Sequence, residues 1–405
     1  MAVRLLAGVA VLLVVLAAAC GSAAAQAPRG NVSVLAVIPP PGYPALPHVM
    51  DNKIFEGTYA NPSGSSMPSR VLEYTSFGEF YNSWTVAGQD VSQTHGIQVA
   101  ANDAEGNLYL LDDTSGRIIR LNPKTGAQSL YALVPHLPPC SQATPGTECK
   151  DSTQDLTPEP DYAAWGPDGS LYVTDYQQAA IWRVPPGGGT AQLWLTSQQL
   201  DGGQFGTACI VLMPDHKTLE FVQASNGGLG SLNTVLSSVN PASGIVNPAT
   251  GKLYSIAIEP GDHPGPLQRL WESGPADAPD GCALTTSGNM FIALSGASNQ
   301  IVELNSAGHE IARFGQQFTG SNGSSIPFDT PTGLGCLGTN LIIANQSYIA
   351  GNTANMALLD LETSEQCAPV FVPAAPAAAH PVKHKRKKRH KRISRPARTK
   401  AGFTG

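Results

Sequence analysis

The stretch "PDGCALTTSGNMFIAL", Pro279 to Leu294, sets a carboxylate, Asp280, just ahead of an apolar, strand-like run and a glycine turn. "PDYAAWGPDGSLYVTD", Pro160 to Asp175, repeats the arrangement around Asp161. An acidic side chain at a strand entrance can ligate a cation or take a proton from an attacking water. It can equally accept from a nearby backbone N–H, which short carboxylates do readily. His95, ahead of another apolar run, is either a general base lining a channel or a hydrogen-bonded packing residue. The chain has no GxSxG, HExxH or Walker motif, and no CxxC or Cys/His spacing that suggests zinc.

The elements that must position these residues recur along the chain. "AEGNLYLLDDTSGRIIRLNPKTG" from Ala104, "PDGSLYVTDYQQAAIWRVPPGG" from Pro167 and "TSGNMFIALSGASNQIVELNSAG" from Thr286 share a plan of tight turn, apolar strand, polar break, strand and turn. Looser copies begin near Asp51, Pro214 and Gly338. Their turn residues, Asn52, Gly106, Gly169, His216, Gly288 and Asn340, have a mean spacing of about 58 residues, longer than a typical WD40 blade but workable with long loops. Strand clusters repeated six times and closed in a ring leave only short, protected edges. The expected architecture is all-β, a six-bladed β-propeller over residues 31–372, with its largest insertion, Asn226 to Asn247, in blade four. Composition agrees, since 42 Gly and 33 Pro among 405 residues with 13% charge suit many turns between short strands. Trp165, Trp182, Trp194 and Trp271 fall in strand-like segments and are expected in the core.

The ends of the chain read differently. Arg4 followed by the apolar run Leu5 to Ala19 has the form of an export signal, too short and Ala-rich for a membrane span. Two readings stand: a signal peptide over 1–25 for free secretion, or a lipoprotein signal ending before Cys20 and a lipid anchor at the bacterial cell envelope. Six cysteines remain, an even number suited to an oxidising compartment. Cys140 and Cys149 flank the turn-rich "SQATPGTE" and are expected to bridge a short hairpin; the partners of Cys209, Cys282, Cys336 and Cys367 stay open among three pairings.

Residues 373–405 run from Ala/Pro/His-rich to "KHKRKKRHKRISRPARTK", with 11 Lys or Arg and no acidic residue, while the remainder holds 13 basic and 30 acidic residues. Such a run cannot bury a core and is expected to be a disordered tail. Its partner is expected to be an anionic cell-envelope polymer or membrane surface. An export signal argues against nucleic acid, and nothing in the chain fixes an oligomeric state.

The repeats around Asp161 and Asp280, the segment "MPDHKTLEF" and the closing "DTPTGLGCLGTNLIIANQSYIAGNTANMALLDL" resemble the regucalcin/gluconolactonase family over residues 43 to 365. The resemblance implies a six-bladed propeller, a calcium or other divalent ion, and hydrolysis of a sugar lactone or related ester. It also implies a ligand register at the start of each inner strand, eight residues before the turn residue. That offset gives Gln98, Asp161, Ala208, Asp280 and Thr332, and a shorter turn gives Ala45 in blade one. The family pattern places metal-binding Glu in blade one, Asn in blades three and four, and Asp in blade five. Here Asp280 matches, Asp161 replaces Asn, and Ala45 and Ala208 offer no oxygen. Glu56 mimics a family "EG" but falls in the second strand of its blade, so the metal role is not carried to it.

Two function classes follow. One is an exported propeller with a weakened metal site, Asp280 and Asp161, that serves in binding or as a scaffold for a small lactone or sugar ligand. The other is a calcium-dependent lactonase in which the ion polarises the carbonyl and Asp280 takes the proton.

Overall fold

Each repeat's turn joins two apolar runs that are too short for helices and rich in β-branched and aromatic residues, the makings of antiparallel hairpins. The computed structural model describes residues 27–39, 42–60, 66–113, 115–226, 250–275 and 277–374, where these runs form six sheets of four or five strands. The proposed signal segment, Cys20, nearly all of the blade-four insertion and the basic tail lie outside the described residues. The innermost strands are Tyr43–Met50, Ile97–Asn102, Pro160–Trp165, Thr207–Leu212, Pro279–Leu284 and Pro331–Leu337. Each packs on the next and the last on the first, which makes the chain a six-bladed β-propeller.

The ring is closed by the two ends of the chain, a device the repeats did not reveal. Val32–Val37 pairs antiparallel with Ala357–Glu362 and supplies the outer strand of blade six. Asn52, Gly106, Gly169, His216 and Gly288 take φ between 56° and 86°, the left-handed conformation expected of tight turns. Blade six departs from the expectation. Its left-handed residue is Gly338, at φ 65°, while Asn340 is already the first residue of its strand, opposite Leu337. A two-residue turn there demands the glycine.

Second strands such as Leu108–Asp112, Leu171–Asp175 and Met290–Leu294 are buried along their whole length because both faces of each blade are covered by neighbours. Tyr109, Trp165, Val173 and Trp182 join blades two and three, and Phe291, Ile301, Leu341 and Leu359 join blades five and six. All four tryptophans named from the sequence are buried, and each indole N–H finds an acceptor: Asn102 O, Asp175 Oδ2, Asp262 O and Glu310 Oε1 respectively. They are core residues.

At Gly57 the backbones of blades one and two approach so closely that a Cβ would stand 2.0 Å from Ile97 O. Gly57→Ala is therefore expected to destabilise the fold by about 3 kcal/mol in urea titration. Gly106→Ala, where nothing lies within 4 Å, should cost only about 1 kcal/mol from its left-handed backbone. Equal losses would show that contact between blades is not what Gly57 protects.

The six cysteines described form three disulfides, Cys140–Cys149, Cys209–Cys282 and Cys336–Cys367. The first encloses the loop expected, but not as a strand hairpin: only the isolated bridge Pro139–Lys150 forms, because the Pro, Gly and Thr residues between them favour turns.

Candidate functional site

The positions singled out by register lie at the start of the inner strands, all buried. In five blades the ladder to the second strand skips just there, between Pro44 and Pro47, Pro160 and Ala163, Thr207 and Ile210, Pro279 and Cys282, and Pro331 and Leu334. An irregularity of this kind re-aims side chains out of the ladder. Blade two differs: Gln98 stays paired with Leu111, and its irregularity comes at Ala100.

Contacts between blades link these residues across the inner strands. Gln98 Nε2 donates to Asp161 Oδ1 at 2.9 Å and lies 3.4 Å from the Tyr59 hydroxyl. The Tyr162 hydroxyl donates to Asp280 Oδ1 at 3.2 Å, across from blade three to blade five. Thr332 Oγ1 donates to Ala45 O at 3.0 Å, and Cys209–Cys282 joins blades four and five beside the two register residues. His95 is bound elsewhere: its Nδ1 meets Gln93 O at 2.8 Å and its Nε2 meets Met67 O at 2.9 Å, so it tethers loops and offers the channel no free nitrogen.

Several residues the repeats did not single out join the mouth. Antiparallel pairing sets the end of each second strand beside the start of the first, as Asp175 faces Pro160 and Asp112 faces Ile97. Residues just past those ends, Asp113 and Tyr176, therefore stand near the strand starts, with Glu159 just ahead of the blade-three strand, and Asp113 and Glu159 act on the charge of Asp161. That second register was the available sequence signal. Glu56, in a second strand, is fully buried and accepts from Ala45 N at 2.5 Å, so it braces the register position from behind.

Burial and mutual repulsion govern the acid groups. Burial pushes Asp280 up to about 7 against the opposing Tyr162 hydrogen bond. Asp161 is held well above the usual carboxylate range by burial, then by the charges of Asp280, Asp113 and Glu159. Burial, followed by Asp175, lifts Glu159 to about 8, and burial alone outweighs the backbone bonds that lower Glu56.

These residues do not fit the calcium centre that the resemblance implies. Calcium takes six to eight oxygens. Ala45 and Ala208 supply none from their side chains, Glu56 Oε1 is committed to Ala45 N–H, and among the described residues no group of three His, Cys, Asp or Glu is placed to hold a metal ion.

The other half of the channel is a separate space. A cavity of about 640 Å³ begins one residue past the register, at Leu46, Tyr162 and Cys209, and excludes Asp161 and Asp280. Its walls are mostly apolar, with a His48–Asn102 pair at 2.8 Å. The segment Gln366–Val372 also lines it, fixed by Cys336–Cys367, by Ala368 N to Leu284 O at 2.8 Å, and by Phe371 against the His216 ring at 4.8 Å. Tyr162 borders both halves.

No protein-family model matches this chain, and no curated protein matches its sequence. Solved structures do resemble it. A calcium-binding protein, regucalcin, from Agrobacterium tumefaciens has a TM-score of 0.52 at 13% identity, covering 84% of this chain and 98% of that one. A putative gluconolactonase gives 0.50 at 11% identity, covering 84% and 94%. An auxiliary nutrient binding protein from Bacteroides thetaiotaomicron gives 0.51 at 10% identity, covering 82% and 75%. At these identities the likeness establishes the shared fold, on which function must be argued from the site.

Proposed function

We propose that this chain is an exported propeller that binds a small ligand at the carboxylate end of its channel and does not hydrolyse lactones. The observation that carries the reading is the register ring: Ala45 and Ala208 stand where the resemblance implies calcium ligands, while Gln98 and Tyr162 engage Asp161 and Asp280. Three disulfides, stable in an oxidising compartment, support export, as does the apolar run after Arg4. No helix among the described residues is long and apolar enough to cross a membrane.

Calcium at about 5 mM, enough to fill a weak extracellular-type site, should leave the melting temperature unmoved, because an ion that binds the native state must raise it. D-glucono-1,5-lactone should disappear at the buffer rate in a pH-stat. The alternative, a calcium-dependent lactonase, draws support from two spare buried acceptors, Asp161 Oδ2 and Gln98 Oε1. A calcium-induced rise in melting temperature that Asp280→Asn abolishes, accompanied by lactone turnover, would establish it instead.

The basic tail gives the proposal its second part, attachment to an anionic cell-envelope polymer or membrane surface. Removing residues 375–405 should abolish adsorption to phosphatidylglycerol vesicles at low salt. The intact chain should adsorb and be released as added salt shortens the reach of its charges. Adsorption that survives the truncation would assign attachment to the propeller or to a lipid on Cys20.

A further inference from the structure

We infer that the ligand of the carboxylate mouth is an organic cation, a protonated primary amine or diamine, held by Asp113, Glu159, Asp161 and Asp280 beside the Tyr59 and Tyr176 rings. The inference rests on the binding reading above and names its ligand class. Its first ground is charge. Burial and other carboxylates are the leading influences that raise the four carboxyl groups, and Asp161 feels the charges of the other three. Buried carboxylates without a counter-charge are costly, and a bound cation removes that cost.

The second ground is the kind of hydrogen bond left to make. Gln98, 5% exposed, spends its amide N–H on Asp161 and faces Tyr59, and its Oε1 has no partner. Asp161, 6% exposed, has no partner at Oδ2. Both spare atoms accept when the acid is ionised, so the complementary ligand donates. An ammonium group brings three N–H donors, is satisfied by three acceptors near 2.8 Å, and does not require the tight shell of six or more oxygens that calcium needs.

Two tyrosines lie close to the same acids. Tyr176 lies within the field of Asp161, Asp280 and Glu159, and Tyr59 within that of Asp113, Glu159 and Asp161. Aromatic rings attract a desolvated cation through their quadrupole. A neutral sugar would gain neither this attraction nor relief of the carboxylate repulsion.

Titration calorimetry of the full chain at pH 8 and low salt with 1,4-diaminobutane, with 1,4-butanediol as its uncharged counterpart and with calcium chloride, tests the inference. The diamine should bind at one site with a Kd below about 1 mM, weakened at least tenfold by Asp161→Asn and by added salt. The diol should show no heat of binding. Asp280→Asn, with retained cooperative unfolding as its folding control, should also weaken the diamine and serves if Asp161→Asn misfolds. Diol binding without diamine binding would overturn the cation while leaving a binding propeller. Calcium binding lost in Asp280→Asn would overturn both readings, and no binding by any of these probes would overturn the cation.

Discussion

Raising the pH from 5 to 8 is expected to lower the stability of this protein steadily, with Asp280 and Glu159 among the main contributors. Asp280 binds its proton more tightly folded, where its pKa is about 7, than unfolded, where it is near the ordinary 3.8. A raised carboxyl of this kind contributes stability that is complete below pH 4 and is lost as pH rises through 7. The full loss is on the order of 4 kcal/mol for a carboxyl shifted that far. Asp161 and Glu159 act in the same direction, and Glu159, near 8, carries the decline slightly further. Surface carboxyls such as Asp168 and Asp215, held low by hydrogen bonds from Ser170 and Thr218, act only as pH falls toward 4 and below. Asp280→Asn cannot ionise, so its melting temperature should change less between pH 5 and 8 and exceed the wild type's at pH 8. A wild-type melting temperature that rises over this interval, with Asp280→Asn parallel to it, would show that the mouth is solvated and its acids ordinary.

Loss of the Cys209–Cys282 bridge is expected to have an effect of similar size. The bridge closes 73 residues, including the long insertion of blade four, and joins neighbouring inner strands. In the chain-entropy view a loop of that length is worth about 4 kcal/mol, against about 2.5 kcal/mol for the 9-residue separation of Cys140 and Cys149. Cys209→Ala/Cys282→Ala should therefore lower the unfolding free energy in urea more than Cys140→Ala/Cys149→Ala. The Cys336–Cys367 pair, separated by 31 residues, should fall between. The double variant should also loosen the channel, since Cys209 and Cys282 follow Ala208 and lie next but one to Asp280. The reverse order of losses would show that local strain and packing, not loop closure, determine what these bridges contribute.

The six repeats were readable because turn and strand chemistry is local. Gly106, Gly169 and Gly288 impose left-handed turns, and the apolar runs beside them can only pair antiparallel. The inner-strand register was readable for the same reason, since a fixed count from a turn fixes which residue begins the strand. Blade six shows its limit: Thr332 lies at the strand start, but the left-handed residue is Gly338, because a two-residue turn replaces the longer one.

What the sequence by itself determined was therefore the unit, its number, the even cysteine count and the two alanines that interrupt the ligand register. Only the tertiary structure decided which groups meet across the ring. Gln98 and Asp161 are 63 residues apart, Tyr162 and Asp280 are 118 apart, and Thr332 and Ala45 are 287 apart. No periodicity encodes such pairs, because they depend on how six blades close around an axis. The same closure set Val32–Val37 beside Ala357–Glu362, chose one disulfide pairing of three, and brought Gln366–Val372 over the far half of the channel. It also removed the acids at the mouth from water and set them against one another, and this collective burial gives them their altered proton affinity.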